Sequence, residues 1–148
     1  MAISSYPPVP ATKKNIVTLT SGTSWTVPTG VTSIIATLVG GGGGGGSVNT
    51  VSGNDARPGQ LIRTTVATTP GASITYAIGA GGVAESSGGT TSFTGATSAV
   101  GGTRGAGQNP AGIGTLGLSV NNAGGAGVTG NGTGSAGGAG LIEIEYWV

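Results

Sequence analysis

The sequence contains neither cysteine nor histidine, and it carries few large or charged side chains. Disulfides, thiolate zinc sites and thiol nucleophiles are therefore excluded. Only 6% of the 148 residues are charged and 4% are aromatic. Few side chains can thus offset the backbone entropy lost on folding, which is about 1 to 2 kcal/mol per residue and more for glycine. We expect backbone hydrogen bonds, within one chain or between copies, to hold such a fold.

Long hydrophobic runs and clustered charge are also missing. No stretch approaches 18 apolar residues, and the first fifteen residues contain no apolar segment behind a basic one. The sequence therefore predicts neither a secretion signal nor membrane insertion. Lys13 and Lys14 form the one basic doublet, and the net charge is only +1. This charge is too small and too scattered to predict nucleic-acid binding.

Glycine is abundant instead, with 34 residues, of which seven are consecutive from Gly40 to Gly46. This run could be a flexible linker or an ordered element. Further along, glycine recurs at every third position: Gly124, Gly127 and Gly130, then Gly134, Gly137 and Gly140. Three residues is the period of a polyproline-II-type helix, in which one residue in three faces a neighbour and glycine permits close approach. We interpret the run as ordered extended backbone packed against the later glycine-rich loops.

Alternation of apolar and polar residues predicts several strands and no helix. Val17 and Leu19 share one face of a first strand, and a strand from Trp25 to Val27 precedes a Pro28–Gly30 turn. We predict further strands at 32–39, at 61–69 with 72–79 as a hairpin around Pro70 and Gly71, and at 141–148. The predicted fold is all-β, a small β-sandwich-like domain at 16–148 with long ordered glycine-rich loops, preceded by an extended proline-rich arm at 1–15.

Motifs that could carry chemistry are weak. Two matches to G-x-G-x-x-G begin at Gly125 and Gly132, but neither lies between a strand and a helix as a dinucleotide loop requires. Glu143 and Glu145 alternate on a strand, about 7 Å apart. We interpret them as charges on an exposed face that resist aggregation, in preference to a glycosidase pair. The sequence predicts no enzyme, cofactor or metal.

Most of the few large aromatic side chains are expected to be buried in the core. Trp25 and Phe93 offer the largest burial available. Tyr146 and Trp147 fall on opposite faces of the last strand, so one of them is expected at the surface or at a subunit contact.

Four segments resemble one family. "SWTVPTGVTSIIATLVGGGGGGG" at 24–46 resembles the opening of the glycine-rich domain of bacteriophage tail fibres and related virion proteins. "PGASITYAIGAGG" at 70–82, "GGTTSFTGATSAVGG" at 88–102 and "GGAGLIEIEYWV" at 137–148 are similar to its later segments in the same order. The resemblance implies a structural virion protein, commonly trimeric, with no catalytic activity.

From this we expect a homotrimeric tail-fibre or receptor-binding tip on the phage particle, which contacts a host surface glycan or outer-membrane protein. The arm is predicted to bind other virion proteins, through Tyr6, Pro7, Pro8, Pro10, Lys13 and Lys14. The candidate receptor-facing residues are Phe93, Asn109, Asn121, Asn122 and Asn131. The alternative is a capsid or baseplate decoration or connector protein without host contact. An ice-binding or matrix protein fits less well, because no flat threonine ladder or secretion signal is evident.

Overall fold

The computed structural model describes residues 13–46, 56–105 and 132–148. These residues form seven strands in two antiparallel sheets, and they contain no helix. The strands are β1 (Lys14–Leu19), β2 (Ser24–Thr26), β3 (Ser33–Val39), β4 (Leu61–Ala67), β5 (Ser73–Ala77), β6 (Ser92–Phe93) and β7 (Leu141–Trp147). The all-β, sandwich-like prediction is confirmed, and β1 begins inside the predicted arm, at Lys14.

The larger sheet has the strand order β1-β7-β3-β4, and the smaller one has the order β2-β5-β6. The last strand of the chain lies between β1 and β3, with Ile144 opposite both Val17 and Ala36. The most strand-like segment of the sequence is therefore a central strand, hydrogen-bonded on both sides.

The core lies between the two sheets. Ile34, Leu38, Ile142 and Ile144 of the larger sheet are at most 1% exposed and pack with Phe93 of β6. Each such side chain contributes about 1.5 to 3 kcal/mol relative to an exposed position. The predicted alternation in β1 and β7 is confirmed, because Val17, Leu19 and the isoleucines of β7 all face this core.

Aromatic residues complete the core as predicted. Trp25 packs against it and meets the ring of Tyr146, with the ring centroids 6.1 Å apart. Trp147, on the opposite face of β7, is 42% exposed. The buried Tyr76 donates its hydroxyl to the backbone oxygen of Ser21 at 2.7 Å, which ties the β1–β2 connection to the smaller sheet.

The predicted hairpin of β4 and β5 is wrong. β4 pairs with β3 in the larger sheet, whereas β5 pairs with β2 in the smaller one. The turn at Pro70 and Gly71 exists, with φ of 79° at Gly71, but its backbone is hydrogen-bonded to Val27. The turn therefore carries the chain from one sheet to the other.

Candidate functional site

The glycine run Gly40–Gly46, which we term the central glycine segment, leaves β3 directly and is buried throughout. Its amide groups donate in three directions that repeat every third residue. Gly40 and Gly43 donate to Gln60 and Arg57, Gly41 and Gly44 to Gly89 and Ser86, and Gly42 and Gly45 to Gly138 and Ser135, at 2.7 to 3.0 Å. This is the three-residue period of a polyproline-II-type helix without internal hydrogen bonds. The prediction of ordered backbone is confirmed.

Carbonyl groups of the central glycine segment accept hydrogen bonds from two further backbone segments. Gly82 and Glu85 donate to Gly42 and Gly45, and Gly102 and Gly105 donate to Gly41 and Gly44. Segments 56–60, 79–85, 86–89, 101–105 and 132–140 therefore surround the central one. We call the whole assembly the glycine layer. It is built almost entirely from backbone contacts, which suits a sequence poor in large side chains.

The three-residue glycine repeat near the end of the chain belongs to this layer. Gly134, Gly137 and Gly140 each turn their Cα hydrogens towards backbone atoms of the segment from Val39 to Gly46, and an added Cβ would overlap a carbonyl oxygen there. Ala136 and Ala139, between these glycines, are exposed. The predicted role of every third glycine is thus confirmed for this repeat, whereas Gly124, Gly127 and Gly130 lie outside the described residues.

Thr91 joins the glycine layer to the sandwich. Its side chain is fully buried, and its hydroxyl donates to the backbone oxygen of Val39 at 2.7 Å while accepting from the amide of Gly79 at 2.9 Å. One side chain thereby satisfies the last carbonyl of β3 and a backbone group of the layer. Nothing in the local sequence distinguished this threonine from its many neighbours.

The molecule has two distinct ends. Lys13 and Val148 exchange two backbone hydrogen bonds, of 2.7 and 3.1 Å, at the end of the larger sheet remote from the glycine layer. β3 ends at Val39 and β7 begins at Leu141, so the layer adjoins the other end of the sheet. At about 3.3 Å per strand residue and 3.1 Å per residue in the layer, the two ends of the molecule are about 40 Å apart.

Several described segments of the glycine layer end or turn together at its far side, which we call the free end. The chain leaves the described residues at Gly46 and Gly105 and returns at Ala56 and Gly132. Between them lies a turn at Ala84 and Glu85, where Glu85 adopts φ of 61°. Hydrogen bonds from Gly105 and Glu85 to the last residues of the central glycine segment hold these segments side by side.

The exposed side chains of the free end are mixed in character. Val83 is 68% exposed, and the guanidinium of Arg104 donates to the backbone oxygen of Glu85 at 3.3 Å. Neither the sequence pattern nor any motif marked these residues, because their grouping follows from the topology of the layer.

Most predicted site residues fall in segments that the structure does not describe. Tyr6, Pro7, Pro8 and Pro10, and likewise Asn109, Asn121, Asn122 and Asn131, lie outside the described residues. Lys13 is exposed beside the C-terminus. Phe93 as a receptor-facing residue is wrong: it is 2% exposed because β6 turns its ring into the core between the sheets.

Glu145 also departs from its predicted exposed position. Its carboxylate lies between Lys14 Nζ at 2.6 Å and Arg63 Nη2 at 2.8 Å, and the residue is 7% exposed. The hydrogen bond from Lys14, assisted by Arg63, holds the pKa of Glu145 below its ordinary value of 4.5 although burial acts in the opposite direction. A carboxylate held ionised by two cations is poorly suited to proton transfer.

In 13–46, 56–105 and 132–148, no three histidine, cysteine or acidic side chains come together to hold a metal. The same residues include no helix of the length and hydrophobicity needed to cross a membrane.

Comparison with protein families gives a match to the model of a glycine-rich domain over residues 18–146. This match covers most of the chain, including all strands apart from the start of β1 and the last residue of β7. The chain belongs to this glycine-rich domain family. In this member of the family, the long match takes in both the sandwich and the glycine layer, so the layer is part of the domain. No curated protein matches the sequence.

Proposed function

We propose that this glycine-rich domain protein is a non-enzymatic structural protein of a bacteriophage virion, a homotrimeric tail-fibre or receptor-binding tip subunit that attaches the particle to its host. The resemblance of the glycine-rich segments to tail-fibre domains supports the virion assignment. The observation that carries the attachment role is the separation of two ends of the described structure, with Lys13 paired to Val148 at one and the free end of the glycine layer at the other.

A tip subunit requires this polarity. One end must join the particle while the other reaches the host surface, and a rigid body must separate them. Here the arm precedes Lys13, at the terminal end, and the free end lies about 40 Å away across sheet and layer. Because the layer is held by backbone hydrogen bonds, described residues of the free end such as Val83 and Arg104 are presented on a defined scaffold. Weak contacts at each free end, repeated over three chains and several fibres, gain strength through effective concentration.

The proposal is tested with the purified full chain on host cells. We expect saturable binding and protection of the cells from the parent phage. A folded protein that neither binds nor protects would favour the decoration or connector role.

The free end can be tested separately because the chain contains no cysteine. Val83→Cys places a thiol at the free end, and Thr29→Cys places a matched exposed thiol in the turn at the terminal end. A large polyethylene glycol maleimide on Val83→Cys is expected to abolish host binding, while the same label on Thr29→Cys leaves it intact. Equal binding by both labelled proteins would contradict contact through the free end.

The arm has its own test. Deleting residues 1–12 is expected to leave a folded protein that no longer joins particles. Normal incorporation of the shortened protein would show that attachment lies elsewhere, and a misfolded product would give the arm a structural role in place of an attachment role.

A further inference from the structure

The face of the larger sheet that points away from the core is unusually apolar for a solvent face, and we call it the outer face. Ile16, Leu61 and Trp147 are 55, 48 and 42% exposed there, and Ile35 and Leu141 are half-buried beside them. β3 reads "SIIATLV", apolar on both faces. Such strands are typical of sheets covered on both sides.

The charges of the outer face cancel. Lys14 and Arg63 bind Glu145 from the two edges of the sheet, and Glu143 stands on the same face of β7. Two positive and two negative charges give a net charge of zero. This surface therefore does not repel a second copy of itself, and three of its four charges are already paired within the chain.

Among the residues that the structure describes, no strand pairs with the outer edge of β1 or of β4. Along β1, the backbone N–H and C=O groups of successive residues point alternately towards β7 and away from it. Because Lys13 exchanges two hydrogen bonds with Val148, the groups of Lys14, Ile16 and Thr18 point away from β7. Along β4, the inward and outward directions of the backbone groups are fixed in the same way. The hydrogen bonds that fix them run from the Gly40 amide to the Gln60 carbonyl and from the Thr68 amide to the Thr32 carbonyl. The outward groups there belong to Leu61, Arg63, Thr65 and Ala67.

These two edges are complementary. On each edge, the residues whose backbone groups point outward are also those whose side chains lie on the outer face. Two residues that face each other in an antiparallel pair have their side chains on the same face of the sheet, so these two edges can pair. β1 and β4 run in opposite directions within the sheet. Around a rotation axis parallel to the strands, β1 of one copy would therefore meet β4 of the next copy in antiparallel orientation.

The width of the sheet favours three copies around that axis. Four strands at about 4.8 Å give a repeat of about 19 Å, and a three-sided prism with sides of this width places each sheet about 5 to 6 Å from its axis. This distance from sheet to axis is close to half of the usual spacing of about 10 Å between packed sheets. Side chains of ordinary size would fill such a prism without leaving a channel.

We propose that three copies of this chain assemble through the outer face, with β1 of each copy paired to β4 of the next. This names the surface behind the trimer of the proposed function, but it requires neither a virion nor a host. One assembly covers the apolar side chains of the outer face and closes both edges, which are otherwise sites for uncontrolled pairing.

The first test is the mass of the purified protein in solution over a dilution series. We expect three times the chain mass of 13.8 kDa. Ile16→Asp, on the outer face, is expected to give folded monomers, whereas Val83→Asp, at a somewhat more exposed position of the free end, leaves the trimer unchanged. A wild-type monomer would overturn the proposal, and so would an Ile16→Asp protein that remains trimeric.

Cross-linking defines the edges even if Ile16→Asp fails to fold. In the Thr18→Cys and Thr65→Cys double variant, a short bismaleimide cannot bridge the roughly 14 Å between β1 and β4 of one copy. We expect covalent species that stop at three chains. Efficient dimers from Thr18→Cys alone would indicate a twofold β1 to β1 pairing and overturn the threefold arrangement. A control at Thr75→Cys, on the smaller sheet, should not cross-link.

The two proposals fail in different ways. A trimer that does not bind host cells refutes the attachment role and leaves the assembly intact. Host binding by a stable monomer refutes the assembly and leaves the attachment role intact.

Discussion

Gly41 provides the sharpest test of the glycine layer. It is buried, it donates to Gly89 at 2.9 Å, and its carbonyl accepts from Gly102 at 2.8 Å. A Cβ at this position would overlap the carbonyl oxygen of Ala80 and lie 2.7 Å from its carbon, whereas real Cβ atoms stay beyond 3.0 Å. Because the obstruction is backbone, no side chain can rotate away, and the neighbouring segment has to move.

The size of the effect follows from these contacts. Overpacking costs about 1 to 3 kcal/mol. Displacing the segment also weakens two buried backbone hydrogen bonds, at roughly 1 kcal/mol each and more if a group is left without a partner. Gly41→Ala is therefore expected to lower the free energy of unfolding by about 3 to 5 kcal/mol, a large part of the 5 to 15 kcal/mol typical of a domain.

The measurement is urea unfolding followed by tryptophan fluorescence and by circular dichroism. Two control variants provide reference values for the change in the free energy of unfolding. Gly30→Ala, where φ is 81° and nothing lies within 4 Å of the new Cβ, should cost about 1 to 2 kcal/mol through backbone strain alone. Ala136→Ser, at an exposed position between two contacting glycines, should change stability by less than about 0.5 kcal/mol.

The sign of the change in the free energy of unfolding decides whether Gly41 lies in packed backbone or in a flexible linker. In a flexible linker, replacing glycine by alanine is neutral or stabilises by about 0.4 to 1 kcal/mol, because it restricts the unfolded chain. A Gly41→Ala protein as stable as the wild type, or more stable, would refute the close packing of backbone described above.

Three further predictions concern single side chains. Thr91→Val should cost about 2 to 4 kcal/mol in urea unfolding, because two buried backbone groups lose their partner, and Thr91→Ser should recover most of the loss. Since the folded pKa of Glu145 lies below 4.5, its contribution to stability is complete above that pH and is lost as pH falls through the lowered pKa; thermal melts of Glu145→Gln should therefore show a weaker acid dependence than wild type. Tyr76→Phe should cost about 0.5 to 1.5 kcal/mol at neutral pH, and an unchanged unfolding midpoint would show that its hydrogen bond contributes nothing net.

The sequence predicted elements better than it predicted their partners. The alternation around Val17 and Ile144 is a local signal, and it correctly predicted strands and their buried faces. The partner of β4 was missed because a Pro-Gly turn is equally compatible with a hairpin and with a crossing between sheets. In the same way, the repeat at Gly134 and Gly137 indicated a period of three, but a run of identical glycines carries no information about which segments lie beside it.

The candidate site was predicted less well for a related reason. The free end brings together residues such as Val83 and Arg104 that share no motif and become neighbours only once the glycine layer has formed. Phe93 was predicted as a core residue from its size and also as a receptor-facing residue from its place among the loops, and the structure supports the first because β6 turns it inward. In both cases, long-range topology supplied information that side-chain patterns lack.

The hydrogen bonds of the central glycine segment also bear on how fast the protein folds. Gly41 is bonded to residues 89 and 102, and Gly42 to residue 138, so many of the described partners of this segment are distant in the chain. Closing such distant loops must precede any gain in energy, which makes folding slow. Opening is expected to be slow as well if these contacts form after the rate-limiting barrier. In the proposed virion role, a particle exposed to an uncontrolled environment would then depend on the lifetime of its folded subunits more than on their equilibrium stability.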